Sequence, residues 1–159
     1  MSVSRMPIPG YPAYFANYDG TITRPNGKLA KAGGKQLYAR IRIKGKMEKV
    51  SRLQALAWKF NPRPDIFNVV DHIDGNKRND CPWNLRWLTK QLNGLNTGAR
   101  NCSFHKQSKK WHAAYRFNGK DVYLGYFETE AEAHRVGRTA REKCFETVYE
   151  KLRMGAIEL

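Results

Sequence analysis

Residues 69–96 have the sequence VVDHIDGNKRNDCPWNLRWLTKQLNGLN, and this stretch decides the fold of the chain. Two apolar runs flank the polar loop 74–80, and a helical pattern begins near Thr89. This alternation of apolar runs and turn-forming residues predicts a strand, a loop, a second strand and a short helix. Four polar residues stand where a small fold usually has apolar ones. They are Asp71, His72, Asn84 and Asn93.

The four polar residues supply the groups that phosphodiester hydrolysis requires, namely a base for water and ligands for a metal ion. The neutral imidazole of His72 can take a proton from water. Asp71 and Asn93 offer hard oxygen atoms, and Mg²⁺ commonly takes one or two protein groups and completes its shell with water and phosphate. The Asn84 amide can bond backbone groups across the loop and so hold His72 in place.

Asp71 and His72 are adjacent, and adjacent strand residues point to opposite faces of a sheet. The two side chains can serve one site only if the strand bends or ends at this point. Asp74-Gly75 is a strong turn signal directly afterwards, so we expect the strand to end here.

The pattern DHIDGN…N…NLRWLT…N resembles the HNH endonucleases, and in particular the phage-type homing branch in which Asn replaces the final His. The resemblance implies a ββα-metal fold over residues 67–97 with His72 as the general base and Asn84 as the middle Asn. It also implies that Asp71 and Asn93 are metal ligands, which gives an H-N-N site. These oxygen ligands favour Mg²⁺ or Mn²⁺ over a metal that prefers soft ligands.

The residues before this segment predict small strands and one helix, which complete a nuclease domain over residues 1–97. Residues 1–13 are rich in proline and predict irregular structure. Lys35–Lys44 alternates as a strand, with one face formed by Leu37, Ala39, Ile41 and Ile43. The other face is basic and follows the DNA duplex in our interpretation, although a solvated surface is the simpler alternative. It comprises Tyr38, Arg40, Arg42 and Lys44.

A helix is predicted to begin at Ser51, which has capping-box spacing to Gln54. Its apolar stripe is expected to pack on the sheet and to carry no chemistry. The stripe consists of Leu53, Leu56, Ala57 and Phe60.

Residues 97–101 predict a linker, and a second domain follows over residues 101–152. Its strands alternate around Asn118-Gly119, a strong hairpin signal, and a helix is capped at Thr129. The segment resembles the Apetala-type, or ethylene-response-factor, DNA-binding domain through its KW, YLGYF and TEAEA elements. The resemblance implies a three-stranded sheet in the major groove, backed by the helix.

The same resemblance identifies DNA contacts on the outer face of that sheet. Arg116 and Tyr123 match the groove-contacting positions. Ala114 and Asp121 depart from the plant pattern, so the base sequence that is read does not transfer. The expected phosphate contacts are Lys106, Lys109 and Lys110.

The composition agrees with a polyanionic partner, because 29 Lys and Arg against 14 Asp and Glu give a net charge of +15. Three cysteines without C-x-x-C spacing predict neither a disulfide framework nor a structural zinc site. No apolar run approaches the roughly 18 residues of a membrane span, and the N-terminus lacks the apolar core of a signal peptide. We therefore expect an intracellular, cytoplasmic protein, located in the host cell if it is phage-encoded.

The sequence thus predicts an α+β protein in which a ββα-metal nuclease domain precedes a module of three strands and a helix. The expected function is metal-dependent, site-recognising cleavage of double-stranded DNA, and the resemblance implies an endonuclease of the homing type. One site per chain makes a monomer a strand nicker by default, and double-strand cutting requires a dimer or a second event. The alternatives are a DNA-binding regulator with an inactive nuclease site and a structural zinc protein.

Overall fold

A computed structural model describes residues 4–33, 37–96 and 101–157. The chain divides into two compact units, Met1–Leu88 and Thr89–Leu159, and each is described by itself. This division precedes the helix at Thr89, which the sequence analysis assigned to the first domain. Most of the predicted linker, residues 97–100, lies outside the described residues. Among the described residues, no helix combines the length and the apolar character needed to cross a membrane.

The described residues of the first unit form three small antiparallel sheets and one α-helix. The first sheet has the order β1-β2-β3, and the other two are the hairpins β4-β5 and β6-β7. A short 3₁₀ helix, Pro82–Asn84, leads into β7. The strands are β1 Arg5–Ile8, β2 Tyr11–Asn17, β3 Ile22–Thr23, β4 Arg40–Ile43, β5 Lys46–Lys49, β6 Val69–His72 and β7 Leu85–Leu88, and the helix is α1 Val50–Trp58.

The prediction that residues 1–13 are irregular is wrong, since β1 and the start of β2 lie there. Gly10 takes a positive φ of 80° at the turn between these strands. Ile8 is buried in the main core of the unit, and this burial stabilises the strand despite the nearby prolines. The buried core residues are Ile8, Ala16, Ile22, Ala39, Ile41, Ile43, Val50 and Leu53.

The predicted strand 35–44 is shorter in the structure, where β4 covers only Arg40–Ile43. Residues 35–36 lie outside the described part of the chain, and Leu37 is 64% exposed rather than part of the core. Lys44 lies in the β4-β5 turn with a positive φ of 45°, because a tight two-residue hairpin needs positive φ at both central positions. The predicted basic face is therefore limited to half-buried Arg40 and exposed Arg42 on the strand itself.

The predicted cap of α1 is wrong, and the predicted apolar stripe is only partly buried, through Leu53 and Ala57. The helix begins at Val50, and no side chain caps its N-terminus. Gln54 instead donates a hydrogen bond from Nε2 to the Thr21 carbonyl (2.8 Å). Phe60 is 90% exposed because α1 ends at Trp58, two residues before it. The apolar residues on the buried face of α1 are Val50, Leu53 and Ala55.

In the second unit, the part of the chain that the structure describes forms one antiparallel sheet of order β10-β9-β8 and two helices. Asn118 and Gly119 both have positive φ in the β9-β10 turn, as the hairpin signal predicts. Thr129 caps α3 by accepting a hydrogen bond from the Glu132 amide (3.2 Å). The elements are α2 Lys90–Leu95, β8 Cys102–His105, β9 Lys110–Phe117, β10 Lys120–Phe127 and α3 Glu130–Arg153.

Candidate active site

The β6-β7 hairpin places Asp71 and His72 at the end of its first strand. Asp71 is opposite Arg86 and His72 is opposite Leu85 in the antiparallel register. The strand ends at His72, whose carbonyl accepts a hydrogen bond from the Gly75 amide (3.0 Å). Asp71 is 3% exposed and His72 is 1% exposed, so both polar side chains are buried.

Asp71 is held by a cation from the opposite strand. Arg86 donates from Nε to Asp71 Oδ2 at 2.9 Å and forms an ion pair with it. A buried carboxylate needs such a partner because burial removes the water that would otherwise solvate its charge. The pair fixes the orientation of the Asp71 carboxylate on the hairpin.

His72 is engaged through one ring nitrogen only. Its Nε2 lies 2.9 Å from Oδ1 of Asp80, which is 6% exposed. Its Nδ1 is buried and has no hydrogen-bond partner among the residues that the structure describes. Sequence reasoning did not identify Asp80, because the loop also contains Asp74, Asn76 and Asn79 and no spacing rule distinguishes them.

Asn84 closes the loop between the two strands. Its Nδ2 donates to Asp74 Oδ1 and to the Asn79 carbonyl, both at 2.9 Å, and its Oδ1 accepts from the Asp74 amide at 3.1 Å. Hydrogen bonds from Asn79 and then from Asn84 hold the pKa of Asp74 below its ordinary value. Through its bond to the Asn79 carbonyl, Asn84 fixes the residue that directly precedes Asp80.

The Asp19-Gly20 turn lies against the loop backbone at Asp80. Gly20 has a φ of +88°, and a Cβ built on it would lie 2.9 Å from the Asp80 carbonyl carbon and from the Cys81 nitrogen. Cys81 Sγ donates to the Asp19 carbonyl at 3.2 Å. This close approach of two backbones requires glycine at position 20.

We expect Gly20→Ala to lower the free energy of unfolding by about 2–4 kcal/mol, since positive φ and overlap with backbone atoms both oppose the new methyl group. Gly27→Ala is the matched control, because Gly27 has a φ of +78° but open space around its Cβ position. The free energy of unfolding of the Gly27→Ala variant should fall by only about 1 kcal/mol. Urea denaturation measures both, and equal losses would show that the contact at Asp80 costs nothing.

A tyrosine lies near the imidazole of His72, and two lysines lie over the ring of that tyrosine. The ring centroid of Tyr38 is 6.1 Å from that of His72. Lys49 Nζ lies 4.5 Å and Lys77 Nζ lies 5.7 Å from the centroid of the Tyr38 ring. Sequence analysis assigned Tyr38 to a strand face and did not connect it with His72. The cluster brings positive charge to the part of the unit where a phosphate is expected.

Asn93 lies on α2, in the second unit, and is half-buried. Thr89 caps this helix by accepting a hydrogen bond from the Leu92 amide (3.1 Å). Leu92 and Leu95 are buried, and α2 packs on α3 and β9 of the same unit. The role of Asn93 as a metal ligand stays a prediction.

The predicted DNA contacts of the second unit lie on or beside its sheet. Tyr123 is 55% exposed and stacks on His112 with 5.1 Å between ring centroids. Arg116 donates to the Gly119 carbonyl (3.1 Å) and lies 3.9 Å from Asp121. Lys110 pairs with Glu128 at 2.6 Å. Lys106 and Lys109 are exposed.

Residues 56–95 match a family model described as HNH endonuclease. The chain is 35% identical over 100 residues to the DNA endonuclease I-HmuI of Bacillus phage SP01, covering 58% of this chain and 56% of the phage protein. It is 30% identical over 94 residues to an uncharacterised HNH endonuclease of Acanthamoeba polyphaga mimivirus, covering 55% of this chain and 24% of that protein.

A solved structure of DNA binding and cleavage by the HNH homing endonuclease I-HmuI has 33% identity and a TM-score of 0.48, covering 57% of this chain and 55% of that chain. The chain thus spans about half the length of the phage relative and about a quarter of the viral one. The family match includes Asp71, His72, Asn84 and Asn93. Residues 56–95 are therefore similar to the HNH endonucleases, and the chain is similar in sequence to the phage DNA endonuclease I-HmuI over 58% of its length.

Proposed function

We propose that the protein is a metal-dependent HNH endonuclease that hydrolyses phosphodiester bonds of double-stranded DNA at a recognised site, as a homing enzyme does. The observation that carries this proposal is the HNH match over a hairpin whose strand ends in buried Asp71 and His72. The phage relative is named a DNA endonuclease, which supports DNA as the substrate. The net charge of +15 suits the same partner.

Asp71 and Asn93 would hold the metal ion, which we propose to be Mg²⁺ or Mn²⁺. Their donor set fits such an ion, since a carboxylate and an amide supply hard oxygen atoms. Two protein ligands would leave the other positions of the ion to water and phosphate, as is common for Mg²⁺. The described residues contain no group of three or more His, Cys, Asp or Glu side chains suited to a metal. When bound, the ion stabilises charge on the reacting phosphate.

The protein's own side chains supply proton transfer and charge. Nδ1 of His72 has no protein partner among the described residues and is the ring nitrogen suited to accept a proton from the attacking water. Lys49 and Lys77 near Tyr38 supply cations that can neutralise phosphate charge. Asn84 keeps the loop closed around this arrangement.

We further propose that the second unit binds duplex DNA in the manner of an ethylene-response-factor domain. Exposed Lys106 and Lys109 support this role, as does the partly exposed aromatic pair of His112 and Tyr123 on the sheet. With one site per chain, a monomer cuts one strand at a time. A DNA-binding regulator with an inactive site is the second candidate, and the complete set of four HNH residues argues against it.

The test is conversion of supercoiled plasmid of mixed sequence to the open-circle form. We expect nicking with Mg²⁺ or Mn²⁺ and a loss of at least about 10³-fold when EDTA removes the ion, because charge stabilisation at the phosphate disappears. Adding Mg²⁺ back in excess should restore the rate. Nicking that persists in EDTA would contradict the metal-dependent mechanism, and binding without nicking would favour the regulator.

A further inference from the structure

We propose that Asp80 is a positioning residue that fixes His72 in one tautomer, with the proton on Nε2 and the lone pair on Nδ1. The inference rests on the proposed function, in which His72 accepts a proton from water. It adds a residue that neither the HNH pattern nor the sequence analysis assigned. The inference rests on the 2.9 Å contact between Nε2 of His72 and Oδ1 of Asp80, both of which belong to buried residues.

The contact itself indicates which nitrogen carries the proton. A neutral imidazole has one N–H and one acceptor nitrogen, and an ionised carboxylate can only accept. Oδ1 of Asp80 at 2.9 Å from Nε2 therefore favours an Nε2–H that donates to the carboxylate. Nδ1 is then left with the lone pair that a general base needs.

The burial of Nδ1 supports the same tautomer. Nδ1 has no hydrogen-bond partner among the described residues, and a buried donor without an acceptor is costly. The tautomer with its proton on Nδ1 would create such a donor. An unprotonated Nδ1 avoids it and can accept a proton when a water molecule is delivered.

The protein fixes Asp80 from both sides along the chain. On one side, the Asn79 carbonyl accepts a hydrogen bond from Asn84 Nδ2 (2.9 Å). On the other, Cys81 Sγ donates to the Asp19 carbonyl (3.2 Å), and Gly20 permits the close approach of that turn. These contacts make the position of the Asp80 carboxylate a property of the folded unit rather than of a loose loop.

The first measurement is the tautomer of His72 in the wild-type protein without DNA or metal. Long-range ¹H–¹⁵N correlation spectra distinguish the two ring nitrogens, and a His72→Gln spectrum identifies the His72 signals among those of the four histidines. We expect a protonated Nε2 and an unprotonated Nδ1. A proton on Nδ1 would overturn the proposal, whatever the outcome of any nuclease assay.

The second measurement separates positioning from simple structural support. Asp80→Asn keeps the size of the side chain but removes the charge, and its amide can donate as well as accept, so both tautomers become populated. We expect the single-turnover nicking rate at saturating protein to fall by about 10²–10⁴-fold, with the dissociation constant for plasmid DNA within about twofold. The His72 spectrum should show a mixture of tautomers.

Asp65→Asn is the matched control, because it makes the same chemical change at an exposed carboxylate. It should nick at the wild-type rate. A folded Asp80→Asn variant that also nicks at that rate would overturn the proposal, since a neutral side chain of equal size would then suffice. If the Asp80→Asn variant does not fold, the tautomer of His72 measured in the wild-type protein tests the proposal by itself. Failure of the wild type to nick would instead contradict the proposed function and leave the tautomer as a separate result.

Discussion

We expect replacement of His72 with glutamine to lower the nicking rate by at least about 10³-fold and to leave DNA affinity within about twofold. Loss of a positioned general base commonly costs about 10²–10⁴-fold. Glutamine is the informative choice because His72 is almost completely buried, and alanine would leave a cavity in the hairpin. The amide is nearer in volume to the imidazole but does not accept a proton at neutral pH. Single-turnover plasmid nicking with Mg²⁺ measures the rate, and fluorescence anisotropy with labelled duplex measures the affinity.

The control for this substitution is His134→Gln, because His134 is an exposed residue of α3. This variant should nick and bind as the wild type does. Retained nicking by His72→Gln would remove His72 as the base. A parallel loss of affinity and rate would show that His72 serves DNA binding rather than proton transfer, and an unchanged thermal midpoint would confirm that the variant is folded.

The sequence revealed the hairpin of the candidate site because its signals are local. Asp71 and His72 follow a short apolar run, and Asp74-Gly75 ends the strand directly after them. The turn at Asn118-Gly119 was predictable for the same reason, since its backbone conformation depends on two adjacent residues. Where two neighbouring residues determine a structure, the sequence alone suffices.

The residues that sequence analysis missed depend on contacts between distant parts of the chain. Asp80 differs from the other polar residues of its loop only through its contact with His72 and through the turn at Gly20. The buried face of α1 was only partly predicted because the helix ends before Phe60, and Gln54 bonds the Thr21 carbonyl directly before β3. Tyr38 approaches His72 from outside β4. Neither hydrophobic periodicity nor motif spacing encodes such contacts.

The second large effect that we expect is a loss of about 10²-fold in DNA affinity when four cations of the second unit become glutamine. Each phosphate contact contributes about 0.9 to the slope of log affinity against log salt concentration. Losing up to four contacts should therefore flatten the slope by about 3–4. The nicking rate at saturating protein should stay unchanged. The substituted residues are Lys106, Lys109, Lys110 and Arg116.

Charge substitution is a cleaner test than deletion of residues 101–159. The helix α2 packs on α3 and β9 within the second unit, and its Leu92 and Leu95 are buried. Deletion would expose these leucines and disturb the helix that carries Asn93, so affinity and cleavage would change together. The four substitutions leave this packing intact, because all four residues are outside the core of the unit.

Two of the four cations already have carboxylate partners, and this affects the size of the expected change. Lys110 pairs with Glu128, and Arg116 lies near Asp121, but such exposed pairs contribute about 0–1 kcal/mol and yield readily to phosphate.

The matched control neutralises four exposed cations of α3, the helix expected to face away from DNA. It should keep the salt slope within about one unit of the wild-type value. An equal loss of slope in both variants would mean that net charge, rather than the sheet surface, drives binding. The control residues are Arg135, Arg138, Lys143 and Lys151.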